Sequence, residues 1–135
     1  MDTKGLERSI KTIIKTGEGY GPEFLPVLNN TKKILKRINK GRPSADHYFQ
    51  LGSLILQLQD TQLALDAFTK GFQLNPSHTD CGTYIALIYE QKEKWDEALL
   101  IYNKLNNIDP NNIHIVERML FILYMHNDVK SVLKR

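Results

Sequence analysis

Residues 45–78 read ADHYFQLGSLILQLQDTQLALDAFTKGFQLNPSH, and residues 79–112 read TDCGTYIALIYEQKEKWDEALLIYNKLNNIDPNN. The two stretches are each 34 residues long and overlay without a gap. Ala64 falls on Ala98, Leu65 on Leu99, Phe68 on Tyr102 and Pro76 on Pro110, while Leu51-Gly52 falls on Ile85-Ala86 and Ile55 on Tyr89. A repeat of this length marks a solenoid, in which each unit buries its apolar face against its neighbours.

Each matched position has a physical reason. Leu51 and Ile55, like Ile85 and Tyr89, stand four apart and so share one face of a first helix. Gly52 and Ala86 beside them are small, as are Ala64 and Ala98 on the second helix, so two helices can approach closely. Phe68 and Tyr102, one turn on, fill the space between helix pairs. Pro76 and Pro110 cannot continue a helix and fix where the next unit begins. Ser77-His78-Thr79-Asp80 reads as a capping box that opens the helix holding Cys81. Asp60 and Asp96, where the second helices start, suit capping or the positive helix end.

These residues resemble the tetratricopeptide repeat, a helix-turn-helix unit with a Leu-Gly pair, a Tyr-like residue, an Ala, an aromatic and a Pro at these spacings. Two units match in phase, and Gly71, Leu105 and Ala86 are departures from the family pattern. The resemblance implies an all-α fold, a right-handed α-α superhelix (a tetratricopeptide solenoid) of antiparallel helix pairs. It implies a domain over 43–135, with units 45–78 and 79–112 and an incomplete unit 113–135. In that last unit Val116, Met119, Leu120 and Leu123 continue the first-helix pattern. Asn127-Asp128 supply a turn, and 129–135 start a second helix with Val132 at the small-residue position. Ile115, Phe121, Ile122, Tyr124 and Met125 make this first helix apolar almost all round, as in a helix buried on several sides. With no polar capping helix, that end calls for cover by a partner or by self-association, unless the sequence is a fragment.

The chain carries +3, but residues 1–42 carry +6 and residues 43–135 carry −3. The composition changes at Gly41-Arg42-Pro43, which sets off a basic N-terminal helical pair over 1–42. Leu6, Ile10, Ile13 and Ile14 form the stripe of its first helix, flanked by Lys4, Arg8, Lys11 and Lys15. A second helix spans about Pro26 to Lys40, with Val27 or Leu28, Ile34 or Leu35, and Ile38 inward. Its register against the repeats stays open, because the connection at 17–22 is long and Gly-rich. That connection has neither a preceding strand nor a Lys-Ser/Thr pair, so it reads as a connector rather than a phosphate cradle.

Lys32, Lys33, Lys36, Arg37, Lys40 and Arg42 form a dense basic patch. It reads either as a solvated helix face or as a contact to RNA phosphates or an acidic partner. No aromatics interleave with it to stack bases, so nucleic acid is the lesser alternative, through the 26–42 helix. Asp2 and Glu7 argue against a membrane-surface role for the first helix. No apolar run reaches the roughly 18 residues of a membrane span, and the N-terminus lacks the pattern of a secretory signal. The single cysteine, Cys81, excludes an internal disulfide framework and suits the reducing cytoplasm.

Family members commonly hold an extended peptide or a partner's helix along their first helices. The resemblance therefore assigns Asp46, Phe49, Ser53, Leu56 and Gln57 to the partner-binding groove in the first unit. In the second it assigns Asp80, Thr83, Leu87, Glu90 and Gln91, and in the third His114, Glu117, Phe121, Tyr124 and Met125. For Leu56 and Phe121 a place in the core is an equal reading. Members that clamp a chaperone's C-terminal carboxylate carry Lys, Asn and Arg at several of these positions. Here Phe49, Ser53, Thr83, Leu87, Glu117 and Phe121 stand instead, so that function is set aside. The mixture of apolar and acidic residues suits an apolar partner segment with some basic residues. His47, His78, His114 and His126 are scattered, without metal-ligand spacing to Cys81 and without a nucleophile motif. No cofactor, metal or catalytic activity is expected, and the function read from the sequence is a protein-holding module or assembly subunit.

Overall fold

A computed structural model describes the backbone over residues 3–16 and 21–134, and side chains over 5–15 and 21–125. Asp2, the connector residues 17–20 and the side chains of Lys4, His126, Asn127, Asp128 and Val132 lie outside the described residues. Among the described residues seven helices follow in order: α1 (Thr3–Thr16), α2 (Leu25–Lys40), α3 (Ala45–Gln57), α4 (Thr61–Leu74), α5 (Thr79–Gln91), α6 (Trp95–Ile108) and α7 (Ile113–Lys134). A single 3-10 turn at Pro22–Phe24 leads into α2, and no strand occurs among the described residues. The chain divides into two compact units, Met1–Cys81 and Gly82–Arg135.

In the first unit α3 packs on α4 and on α2, while α1 packs on α2 and on α4. The N-terminal pair, set apart at residue 42 by its composition, thus packs with the first repeat. It does so in inverted order, with α2 beside the repeat's first helix and α1 beside its second. This arrangement supplies the register that the sequence leaves open. Leu6 and Ile10 of α1, and Thr31, Ile34, Leu35 and Ile38 of α2, are the buried positions of the pair. Asn39 donates to Glu7 at 2.9 Å and so ties α2 to α1. Lys11 also pairs with Glu7, at 3.0 Å.

The repeat is visible in the backbone. Gln59 (φ 67°) and Glu93 (φ 58°) both adopt the left-handed conformation that ends the first helix of each repeat. Asp60 N–H donates to Ile55 O and Lys94 N–H to Tyr89 O. At the other end, Asn75 N–H donates to Gly71 O and Asp109 N–H to Leu105 O, so the Pro76 and Pro110 turns are built alike. Asp60 caps α4 by accepting from the Leu63 N–H at 3.0 Å. Its counterpart is Lys94, which makes no side-chain cap, and Asp96 lies instead in the first turn of α6, where its charge favours the helix end.

Small residues mark the tightest contacts. A Cβ added at Gly52 would lie 2.6 Å from the buried Phe68 ring, and one at Gly71 would lie 2.8 Å from Cys81 Sγ and 3.2 Å from Ala45 O. The departure at Gly71 therefore lets the start of α5 settle against α3. In the second unit Ile85, Ala86 and Ile88 of α5, Ala98, Tyr102 and Leu105 of α6, and Ile115 and Ile122 of α7 are buried.

Three local expectations are corrected. The cap of α5 is His78, whose Nδ1 accepts the Cys81 N–H at 3.2 Å, rather than Ser77; Ser77 instead donates its backbone N–H to Asn75 Oδ1. The turn expected at Asn127-Asp128 does not form, and residues 129–134 continue the same helix rather than starting a second one, because α7 runs unbroken from Ile113 to Lys134. It contains no Gly or Pro to end it, and Leu120 stands where Gly52 and Ala86 stand, so the site for a close second helix is filled. Nor is α7 buried on several sides. Ile113, Val116, Leu120 and Leu123 form an exposed stripe, and Phe121 and Tyr124 are exposed as well.

Candidate functional site

On α2, Asn30, Lys33 and Arg37 recur at helical spacing and lie on one face. On α3, Phe49, Ser53 and Gln57 do the same. Because α2 packs beside α3, these two faces meet and enclose a pocket of about 550 Å³. Ile34, Gln50 and Leu54 complete its lining. Helix α3 is held in place by a reciprocal cap, in which Ser44 Oγ accepts the His47 N–H and His47 Nδ1 accepts the Ser44 N–H, each at 3.2 Å. The Phe49 ring is fixed by Phe68 and His78, with centroids at 5.9 and 5.6 Å. Ser53 Oγ donates to Phe49 O at 2.9 Å, so the hydroxyl folds back on its own helix.

Of the residues assigned to the first unit's groove, Phe49, Ser53 and Gln57 therefore share one pocket with two of the basic patch, Lys33 and Arg37. Leu56 is half-buried and outside it. Asp46, although exposed, pairs with His78 Nε2 at 2.7 Å, and Asp80 is exposed on the first turn of α5. Lys32 and Lys36 turn the other way. With Lys11 and Lys15 they rim a second cavity of about 400 Å³ whose apolar floor is Ile14 and Leu35. Lys40 and Arg42 are exposed and line neither cavity.

The assigned residues of the second unit form a separate cluster. Glu90 is buried, and its carboxylate accepts from the Tyr102 hydroxyl and from Arg118, with Arg118 Nε donating at 3.3 Å. The Arg118 guanidinium lies 4.6 Å from the centroid of the Phe121 ring. Trp95 meets the edge of Phe121 at 6.5 Å. Burial, then the hydrogen bond to the Glu90 carboxylate, pushes the Tyr102 hydroxyl above its ordinary pKa. The bond to Glu90 likewise raises Arg118. Glu90 thus serves the packing of α5, α6 and α7. Thr83 is half-buried, whereas Leu87, Gln91, His114, Glu117 and Tyr124 are exposed.

The rings of His47 and His78 each accept a backbone N–H at a helix start, and no group of three or more His, Cys, Asp or Glu among the described residues is placed to hold a metal ion. Cys81 is fully buried, and its thiol is pushed up to about 12 by desolvation and then by the Asp80 and Asp46 charges. Reading by sequence did not find Asn30, Gln50, Leu54 or Arg118. The spacing of Asn30, Lys33 and Arg37 defines a face, but only the inverted pairing of α1 and α2 shows which helix that face meets.

The tetratricopeptide repeat family's profile matches residues 45–78. No curated protein matches the sequence. Two crystal structures of MamA are similar in fold. One is 21% identical, with the match covering 97% of this chain and 78% of that one, at a TM-score of 0.68. The other is 22% identical, covering 97% and 71%, also at 0.68. No helix among the described residues is long and apolar enough to cross a membrane.

Proposed function

We propose that this chain, a tetratricopeptide-repeat protein by its repeat and its fold, holds a segment of another protein in the pocket between α2 and α3. The observation that carries this reading is the convergence in one cavity of two groups from different elements, Phe49, Ser53 and Gln57 from the repeat and Lys33 and Arg37 from the basic helix. The cavity lies within the range of specific binding sites, about 300–1,000 Å³. It combines an apolar floor with a few polar groups that fix orientation. The chain acts as an assembly or adaptor subunit rather than as a catalyst, in a reducing cytoplasm that suits its buried Cys81 thiol. The site differs from a carboxylate clamp, since its cations come from α2 and not from the repeat's own first helix.

A photo-crosslinking side chain placed at Gln57, an exposed pocket residue, tests the reading against one at Gln73, which is exposed on α4. Protein adducts are expected from position 57 and not from position 73. Equal yields at the two positions would refute a specific site. A second contact surface is favoured by the exposed apolar stripe of α7, Ile113, Val116, Leu120 and Leu123. Its spacing of three, four and three residues suits a helix from another copy of the chain or from a further subunit.

A further inference from the structure

The acidic residues of the first helices suggest a partner bearing basic side chains, yet the structure reverses that sign at the pocket. Asp46 accepts a hydrogen bond from His78 Nε2 at the start of α3, and Glu90 is buried against Tyr102 and Arg118. Neither residue lines the cavity between α2 and α3, and no carboxylate does. The ionisable side chains that line it are Lys33 and Arg37, on one face of α2. Both are exposed, and among the described residues neither pairs with a carboxylate. Opposite them stand Phe49 and Leu54, with Ile34 at the base, while Gln50, Ser53 and Gln57 give the α3 side a neutral polar edge.

We infer that the segment held here is acidic and amphipathic, placing an aliphatic or aromatic side chain against Phe49, Ile34 and Leu54 while its carboxylates meet Lys33 and Arg37. Two cations one helical turn apart present their charges along a short line, which matches carboxylates spaced along a peptide. Their attraction extends over about a Debye length, near 10 Å, and speeds encounter as well as fixing direction. Two features favour a protein over RNA. The Phe49 ring is engaged by Phe68 and His78, so it is no open platform for base stacking. The basic patch is also split, with Lys32 and Lys36 directed to the cavity beside α1, so it gives no continuous track for a phosphate chain.

The inference rests on the proposed site, and one experiment separates the two. A phage-displayed library of random short peptides is selected on the intact chain, and the enriched peptides are measured against Lys33→Glu/Arg37→Glu and against Gln57→Trp. Both variants alter exposed positions, and circular dichroism verifies their fold. The expected result is enrichment of Asp and Glu beside Leu, Ile or Phe. Affinity should fall about tenfold in the charge-reversed variant, the scale of two partly screened ion pairs, and should fall in Gln57→Trp, which fills the pocket. Enrichment of Lys- and Arg-rich peptides that still depend on Gln57 would overturn the acidic partner and leave the site standing. No enrichment, or peptides indifferent to Gln57→Trp, would overturn both. An oligouridine RNA bound more tightly than any peptide, lost on charge reversal but not in Gln57→Trp, would overturn the inference in favour of nucleic acid.

Discussion

Gly52→Ala probes the close helix contact on which the repeat depends. Two effects of opposite sign meet at this position. In a helix interior alanine is preferred to glycine by about 1 kcal/mol, so an open site would gain stability from the change. Here the new methyl carbon would lie 2.6, 2.7 and 2.9 Å from three carbons of the Phe68 ring. That ring is fully buried and has Phe49 against it, so it cannot swing aside as an exposed side chain would. Overpacking of a filled core costs about 1–3 kcal/mol. Since α3 and α4 must separate by several tenths of an ångström along their contact, the upper part of that range applies. The expected net loss is about 1–2 kcal/mol after the helix preference is subtracted. It is measured by urea denaturation followed by far-ultraviolet circular dichroism, with an unchanged slope. In thermal unfolding it corresponds to a fall of roughly 3–10 °C. Phe68→Leu, which shortens the obstructing group, should make the double variant less destabilised than the sum of the singles. A Gly52→Ala protein stabilised by the full helix preference would refute the close-packing argument.

Four further outcomes concern other parts of the molecule. Cys81 should resist alkylation by iodoacetamide in the folded chain and react fully in denaturant. Since burial raises the Cys81 and Tyr102 pKa values, their contribution to stability is complete below the unfolded values, about 8.5 and 10, and declines as pH rises past them; a melting temperature that climbs from about pH 9 to 11 would contradict this. Arg118→Met leaves the Glu90 carboxylate with the Tyr102 hydroxyl alone. Breaking a fully buried pair costs about 3–5 kcal/mol, but the Arg118 side chain is 43% exposed, so about 1–2 kcal/mol is expected by urea denaturation. Adding Glu90→Gln should recover part of that loss, and an unaltered midpoint in the single variant would show that the pair contributes nothing. Leu120→Asp places a charge in the middle of the exposed α7 stripe and should abolish any concentration-dependent association seen by sedimentation velocity, whereas association unchanged in that variant would exclude the stripe as the contact.

The regular part of the fold was legible because its determinants are local. Ala64 and Phe68 belong to the second helix of the unit, with the Phe68 ring on Gly52 of the same helix pair, Pro76 ends the unit, and the same residue types recur one repeat later. The left-handed turns at Gln59 and Glu93 were not legible, since neither residue type prefers that conformation; the turn is imposed by the helices on either side. The α7 turn failed for the converse reason, as Asn127-Asp128 resembles a turn but nothing beyond it interrupts a helix. For the site, periodicity marked Phe49, Ser53 and Gln57 as one face, and composition marked the basic patch. What a single helix cannot reveal is its neighbour. That Lys33 and Arg37 part company with Lys32 and Lys36 is given by their four-residue spacing, but that α2 meets α3, and so which face enters the pocket, follows from tertiary packing alone. The partners of Asp46 and Glu90, namely His78, Tyr102 and Arg118, likewise come from other helices or turns and are not visible in the spacing of one helix.

The central claim, that a protein segment sits between α2 and α3, is tested most directly by mapping backbone amide shifts of the intact chain as it is titrated with the tightest peptide from the library selection. The account predicts that the largest shifts fall on Asn30, Lys33, Arg37, Phe49, Ser53 and Gln57, from both walls of one cavity. Shifts confined to the α7 stripe, or to the lysine-rimmed cavity between α1 and α2, would contradict it.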